Sequence, residues 1–124
     1  MIEKVYILVE LVTDSWTGEI IDDVEKIISV HKSLEDATNK KNALICRVVS
    51  AYFSLKNDVD DIDVIMGCIA KRHHEITEWV RQQISNPEIK ISNRTELLLL
   101  VHSIALNSGL GMETYKISIM DLNP

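Results

Sequence analysis

Cysteine, aromatic rings, positive charge and long apolar runs are all scarce in this chain of 124 residues. The two cysteines, Cys46 and Cys68, have neither the paired spacing of a metal knuckle nor the density of a disulfide scaffold. They read as two buried thiols in a reducing compartment. One Phe, two Trp and three Tyr leave the core to be built from aliphatic side chains. Thirteen Lys and Arg against nineteen Asp and Glu give a net charge of −6. That balance argues against a broad nucleic-acid-binding face, because phosphate contact needs clustered bases. The longest apolar runs, at 5–9 and 97–101, are too short to span a bilayer. Met1-Ile2-Glu3-Lys4 lacks the basic-then-apolar order of a secretory leader. Together these absences predict a cytoplasmic protein with no membrane partner and no sequence-specific nucleic-acid partner.

What is present suits one ordinary globular domain over residues 1–124. Apolar residues make up 46% and charged residues 26%, enough to bury a core. Residues 33–84 organise the chain as two long amphipathic helices with a short break between them. The flanking segments are strand-like. Residues 4–12 are rich in β-branched side chains, with Val5, Ile7, Val9 and Leu11 on one face and Tyr6, Leu8 and Val12 on the other. An apolar second face predicts a central strand. A polar loop carrying Trp16 follows, and a second strand runs near 25–32, with Ile20 and Ile21 prolonging the hairpin. Ile28 and Val30 alternate with polar residues there, but Ile27 spoils the pattern.

Ser33-Leu34-Glu35-Asp36 resembles a capping box, and acidic side chains favour a helix start. Leu34, Ala37, Leu44, Val48, Ala51 and Leu55 recur at helical steps, with a second line through Ile45, Val49 and Phe53. Residues 57–60 interrupt the period, and Asp60 with Asp63 restarts it. Ile62, Ile65, Ile69, Ile76 and Val80 then form a stripe that predicts one helix to Ile84. So short a link predicts an αα-hairpin. Asn86-Pro87 ends the pair. Residues 88–92 alternate briefly, as a short strand or an extended connector. Asn93 to Glu96 opens a third helix, apolar on nearly every side and therefore buried. Asn107-Ser108-Gly109 stops it. Residues 115–122 alternate cleanly, as a closing strand does.

No pattern here carries catalysis. His73 and His74 point about 100° apart on a helix, and His74 with Glu78 has no local third metal ligand. The aspartates at 58–63 lack the glycine and the terminal glutamate of a calcium loop. Gly109 and Gly111 follow a helix instead of opening one, so they offer no phosphate cradle. Two features point to binding. Trp16 places a large aromatic in a polar loop, where contact with a partner competes with folding back onto the sheet. Lys71, Arg72, His74 and Arg81 put positive charge along one helix of an otherwise acidic protein. Arg72 and Arg81, nine residues apart, could flank an anion or an acidic partner.

The order of an opening strand like residues 4–9, a second strand like 27–30, a helix starting like 33–37 and a last strand like 115–122 resembles a pattern in small accessory proteins of bacteriophages and mobile elements. Members with long inserted helices include counter-defence proteins. The layout distantly resembles the Thoeris anti-defence sponges, which implies sequestration of a cyclic ADP-ribose signal by an oligomer. The resemblance supplies no residue roles.

The resulting expectation is an α+β fold: a small antiparallel sheet of three or four strands, a long αα-hairpin and a third, short buried helix. A homodimer through the long helices is expected to hide the remaining apolar surface. The leading functional expectation is a non-enzymatic inhibitor of a host protein in bacterial defence, using Trp16, Lys71, Arg72, His74 and Arg81 and no cofactor or metal. The alternatives are an oligomeric sponge for a nucleotide signal, held by Arg47, Arg72 or Arg81, and a small hydrolase.

Overall fold

The computed structural model describes residues 3–13, 20–56 and 58–122. Its elements run β1 (Lys4–Thr13), β2 (Ile20–His31), α1 (Leu34–Tyr52), α2 (Ile62–Arg72), α3 (His74–Ile84), α4 (Arg94–Asn107) and β3 (Thr114–Asp121). The fold is α+β. Its antiparallel sheet has three strands in the order β2-β1-β3 among the described residues. The N-terminal strand is therefore central, as its two apolar faces require. Residues 88–92 form a connector, with the Glu88 amide bonded to the Asn86 side chain.

A bulge explains the irregular pattern of β2. Leu8 faces Ser29 and Ile7 faces Val30, but Val9 faces Ile27, so Ile28 is an extra residue without an opposite number. Across this slip Ile27 and Val30 share a face with Val5, Ile7, Val9 and, from β3, Met120. Tyr6, Leu8, Ile117 and Ile119 occupy the other face. The helix-side contacts come from α1, which touches all three strands. Leu8 of β1 and Ala37 of α1 are fully buried.

The helix starts follow local chemistry. The Ser33 hydroxyl accepts from the Asp36 amide at 3.0 Å. At α2 the cap is Asp61 rather than Asp60, and its carboxylate takes the Asp63 and Val64 amides. Asn93 caps α4 through the Glu96 amide, while the Glu96 carboxylate reaches back to the Ser92 amide. Gly109, at φ +82°, closes α4 in a Schellman turn: Leu110 N–H bonds Ala105 O and Gly109 N–H bonds Leu106 O. The end of α1 has the same pattern, with Leu55 N–H on Ser50 O and Ser54 N–H on Ala51 O. There the left-handed residue is Ser54, at φ 55°.

The helical half departs from two rods. His73 is extended (φ −152°, ψ 89°) and divides the second rod into α2 and α3. The continuous stripe masks this break, since no Gly or Pro marks it. Each half turns its own apolar residues inward: Ile65 and Ile69 from α2, Ile76 and Val80 from α3, all fully buried. The principal helical neighbour of α1 is α4, which also packs on α3. For that reason the deeply buried line of α1 is Ile45, Val49 and Phe53, whereas Leu34 and Ala51 are exposed. Leu97, Leu98, Val101 and Ala105 make α4 the centre of the main core, and Met112 closes it. That core is helical. From the sheet, Leu8 and Val9 are buried on opposite faces, outside that cluster, and Tyr115 of β3 packs against it.

Candidate functional site

The C-terminal end of α1 leaves carbonyl groups without helical partners, and two arginines from other helices supply donors. Arg94, at the first position of α4, donates through Nη1 to Lys56 O (2.9 Å) and Val59 O (2.6 Å). Its Nη2 donates to Ser50 Oγ at 2.9 Å. Arg72, the last residue of α2, donates to Tyr52 O and lies 5.8 Å from the Tyr52 ring centroid. Positive charge at a helix C-terminus is favourable in its own right. These contacts fasten the link between α1 and α2 to the rest of the molecule.

Beside this clamp is a cleft of about 730 Å³, lined by Cys46, Arg47, Ser50, Ser54, Leu55 and Arg94 together with two alanines. No carboxylate is among its lining residues. Burial raises the Cys46 thiol above its ordinary pKa, against the opposing hydrogen bond with the Thr95 side chain and the charge of Arg94. Such a thiol stays protonated at neutral pH and is a poor nucleophile. Burial, with Glu10 and Glu113, also raises Tyr115, and Arg47 partly offsets this.

Both groups hold their protons more tightly folded than unfolded. Their contribution is present below the unfolded pKa values and is lost as pH rises through the folded ones. The melting temperature should therefore fall on the alkaline side, from about pH 9 upward. Tyr115→Phe should remove the tyrosine part of that fall. Thermal melts between pH 7 and 11 measure it, and parallel curves for the two proteins would exclude Tyr115 as a source.

The residues singled out by sequence do not converge. Trp16 lies outside the described residues. Lys71 and Arg72 end α2, whereas His74 and Arg81 sit on α3, all exposed. The His73 break removes the shared helix face assumed for Arg72 and Arg81. Arg72 is turned onto α1, and Arg81 pairs with Glu78 at 3.2 Å, with His74 3.7 Å from the same carboxylate. Arg81 lines a different cleft, beside Ile62, Met66 and Ile84. Of the three arginines considered for a ligand, Arg47 alone lines the cleft that holds Arg94.

Arg94, Ser50 and Ser54 are absent from the sequence-derived set. Arg94 did carry a signal, because a cation in the first turn opposes the helix dipole and so needs another reason to be there. Ser29 and His31 also meet, Oγ to Nε2 at 2.6 Å, on one face of β2. Among the described residues no carboxylate bonds the other ring nitrogen, so the pair lacks the orienting third group of a hydrolytic triad. No three His, Cys, Asp or Glu side chains gather as metal ligands among the described residues. No described helix is long and apolar enough to cross a membrane.

The geometry defines a small α+β protein with a helical core, a three-stranded sheet and a cationic cleft. Compared with known protein families, curated proteins and solved structures, the chain matches none.

Proposed function

We propose that this chain is a non-enzymatic binding protein and that the sheet face carrying Ile27, Val30 and Met120 is the surface that meets a protein partner. The supporting observation is the exposure of Ile27 (66%), Val30 (59%), Met120 (50%) and Leu122 (53%). The first three share the face carrying Val5, Ile7 and the buried Val9, and Leu122 continues the alternation of β3, while a single exposed apolar residue, Ile119, stands on the opposite face of that strand. Apolar side chains clustered in this way mark contact surfaces more often than scattered ones do. The large exposed apolar residues of the helices, Leu34, Tyr52, Val64 and Trp79, are spread over three of them.

The target class we propose, on the distant resemblance of the strand and helix order to counter-defence proteins, is a host factor of bacterial defence. Capture from bacterial lysate, with light scattering of the pure protein over a concentration series, separates a host partner from a second copy. The double variant Val30→Lys, Met120→Lys should keep its melting temperature, since both sites are solvent-facing. It should also lose at least about 90% of captured partner or dimer, as truncation of central contact residues does. Undiminished association in that variant would reject this face.

A further inference from the structure

We propose that the cleft between the C-terminal half of α1 and the start of α4 binds a small molecule through a phosphate group. This site is separate from the sheet face and does not depend on it. Its volume, about 730 Å³, falls in the range of small-molecule sites. Two guanidinium groups, Arg47 and Arg94, line it with the hydroxyls of Ser50 and Ser54, and no lining carboxylate neutralises them.

Three of the five N–H groups of Arg94 are held, by the Lys56 and Val59 carbonyls and the Ser50 hydroxyl. These bonds fix the guanidinium in place and leave two donors for a ligand. Arg94 is half-buried and forms no ion pair among the described residues, so its charge is balanced by dipoles alone. Arg47 is exposed, likewise without an ion pair among the described residues, and can swing onto a ligand. One fixed and one mobile fork, approaching from different helices, suit a tetrahedral anion with several acceptor oxygens better than a planar carboxylate.

Ser54 adds a second, independent indication. Its φ of 55° is the conformation in which glycine, as at Gly109 in the matching turn of α4, is unstrained. Serine there keeps a hydroxyl on the cleft wall, within 3.4 Å of Arg72 Nη1, at a backbone cost. Leu55, with Ala43 and Ala51, supplies an apolar wall for the organic part of a phosphate ester.

Isothermal titration at low ionic strength with inorganic phosphate, AMP and adenosine tests the assignment on the full chain. Phosphate or AMP should bind saturably and adenosine should not. AMP binding more tightly than phosphate would identify an ester as the ligand, and equal affinities would identify the free anion. Arg47→Glu should weaken binding about 10-fold or more, from the loss of one charge-assisted contact and the added repulsion. Ser54→Gly should raise the melting temperature while weakening binding, which separates loss of the hydroxyl from loss of the fold. No saturable binding of either anion at millimolar concentration would overturn the proposal. So would adenosine binding as well as AMP, or an affinity unchanged in Arg47→Glu.

Discussion

Leu98→Ala should destabilise the protein by about 3–5 kcal/mol, the range for a leucine truncated in a packed interior. Leu98 is fully buried on a helix packed by α1 on one side and α3 on another, so no single element can collapse into the space left behind. Domains of this size are stable by about 5–15 kcal/mol, so the variant would lie close to the folding threshold. Leu34→Ala is the control. Leu34 is 49% exposed at the first turn of α1, and its truncation should cost less than about 1 kcal/mol. Urea unfolding of both variants decides the matter. Similar losses in the two would show that α4 is not the centre of the core.

Arg94→Ala should cost about 2–4 kcal/mol through a different mechanism. It removes three hydrogen bonds at once and leaves the Lys56 and Val59 carbonyls and the Ser50 hydroxyl to find water. Arg94→Lys should recover only a minor part, because an ammonium on a flexible stem cannot address two carbonyls and a hydroxyl in one plane. The loss should also be local. Amide exchange in residues 53–61 should accelerate more than exchange in α4, since the arginine ties that link down. Full stability in the lysine variant would mean that charge at the helix end, rather than the fork, is what matters.

Much of the architecture was legible because its signals are local. Ser33 and Asn93 cap by their own side chains, Gly109 ends a helix by its φ, and the alternation at 115–122 needs no distant partner to be recognised. The break at His73 was not legible. Arg72, His73 and His74 carry no breaker, and the apolar step from Ile69 to Ile76 suits a straight helix as well as a bent one. Which helix would lie beside α1 was hidden for the same reason, since periodicity reports a buried face but not what buries it. The cleft lay further out of reach. Ser50 and Arg94 are 44 positions apart, and only folding brings the hydroxyl to the guanidinium.

The extra residue at Ile28 has a consequence for how this chain can vary. Deleting Ile28 would straighten the ladder and leave the neighbouring residues of β2 opposite their present partners, Ser29 on Leu8, Ile27 on Val9 and Lys26 on Glu10. Ile27 would stay on the face of Val9 and Lys26 on the face of Glu10. The bulge is therefore the place where this strand can change its length by one residue without turning its faces over, whereas a shift of the whole pairing by one would.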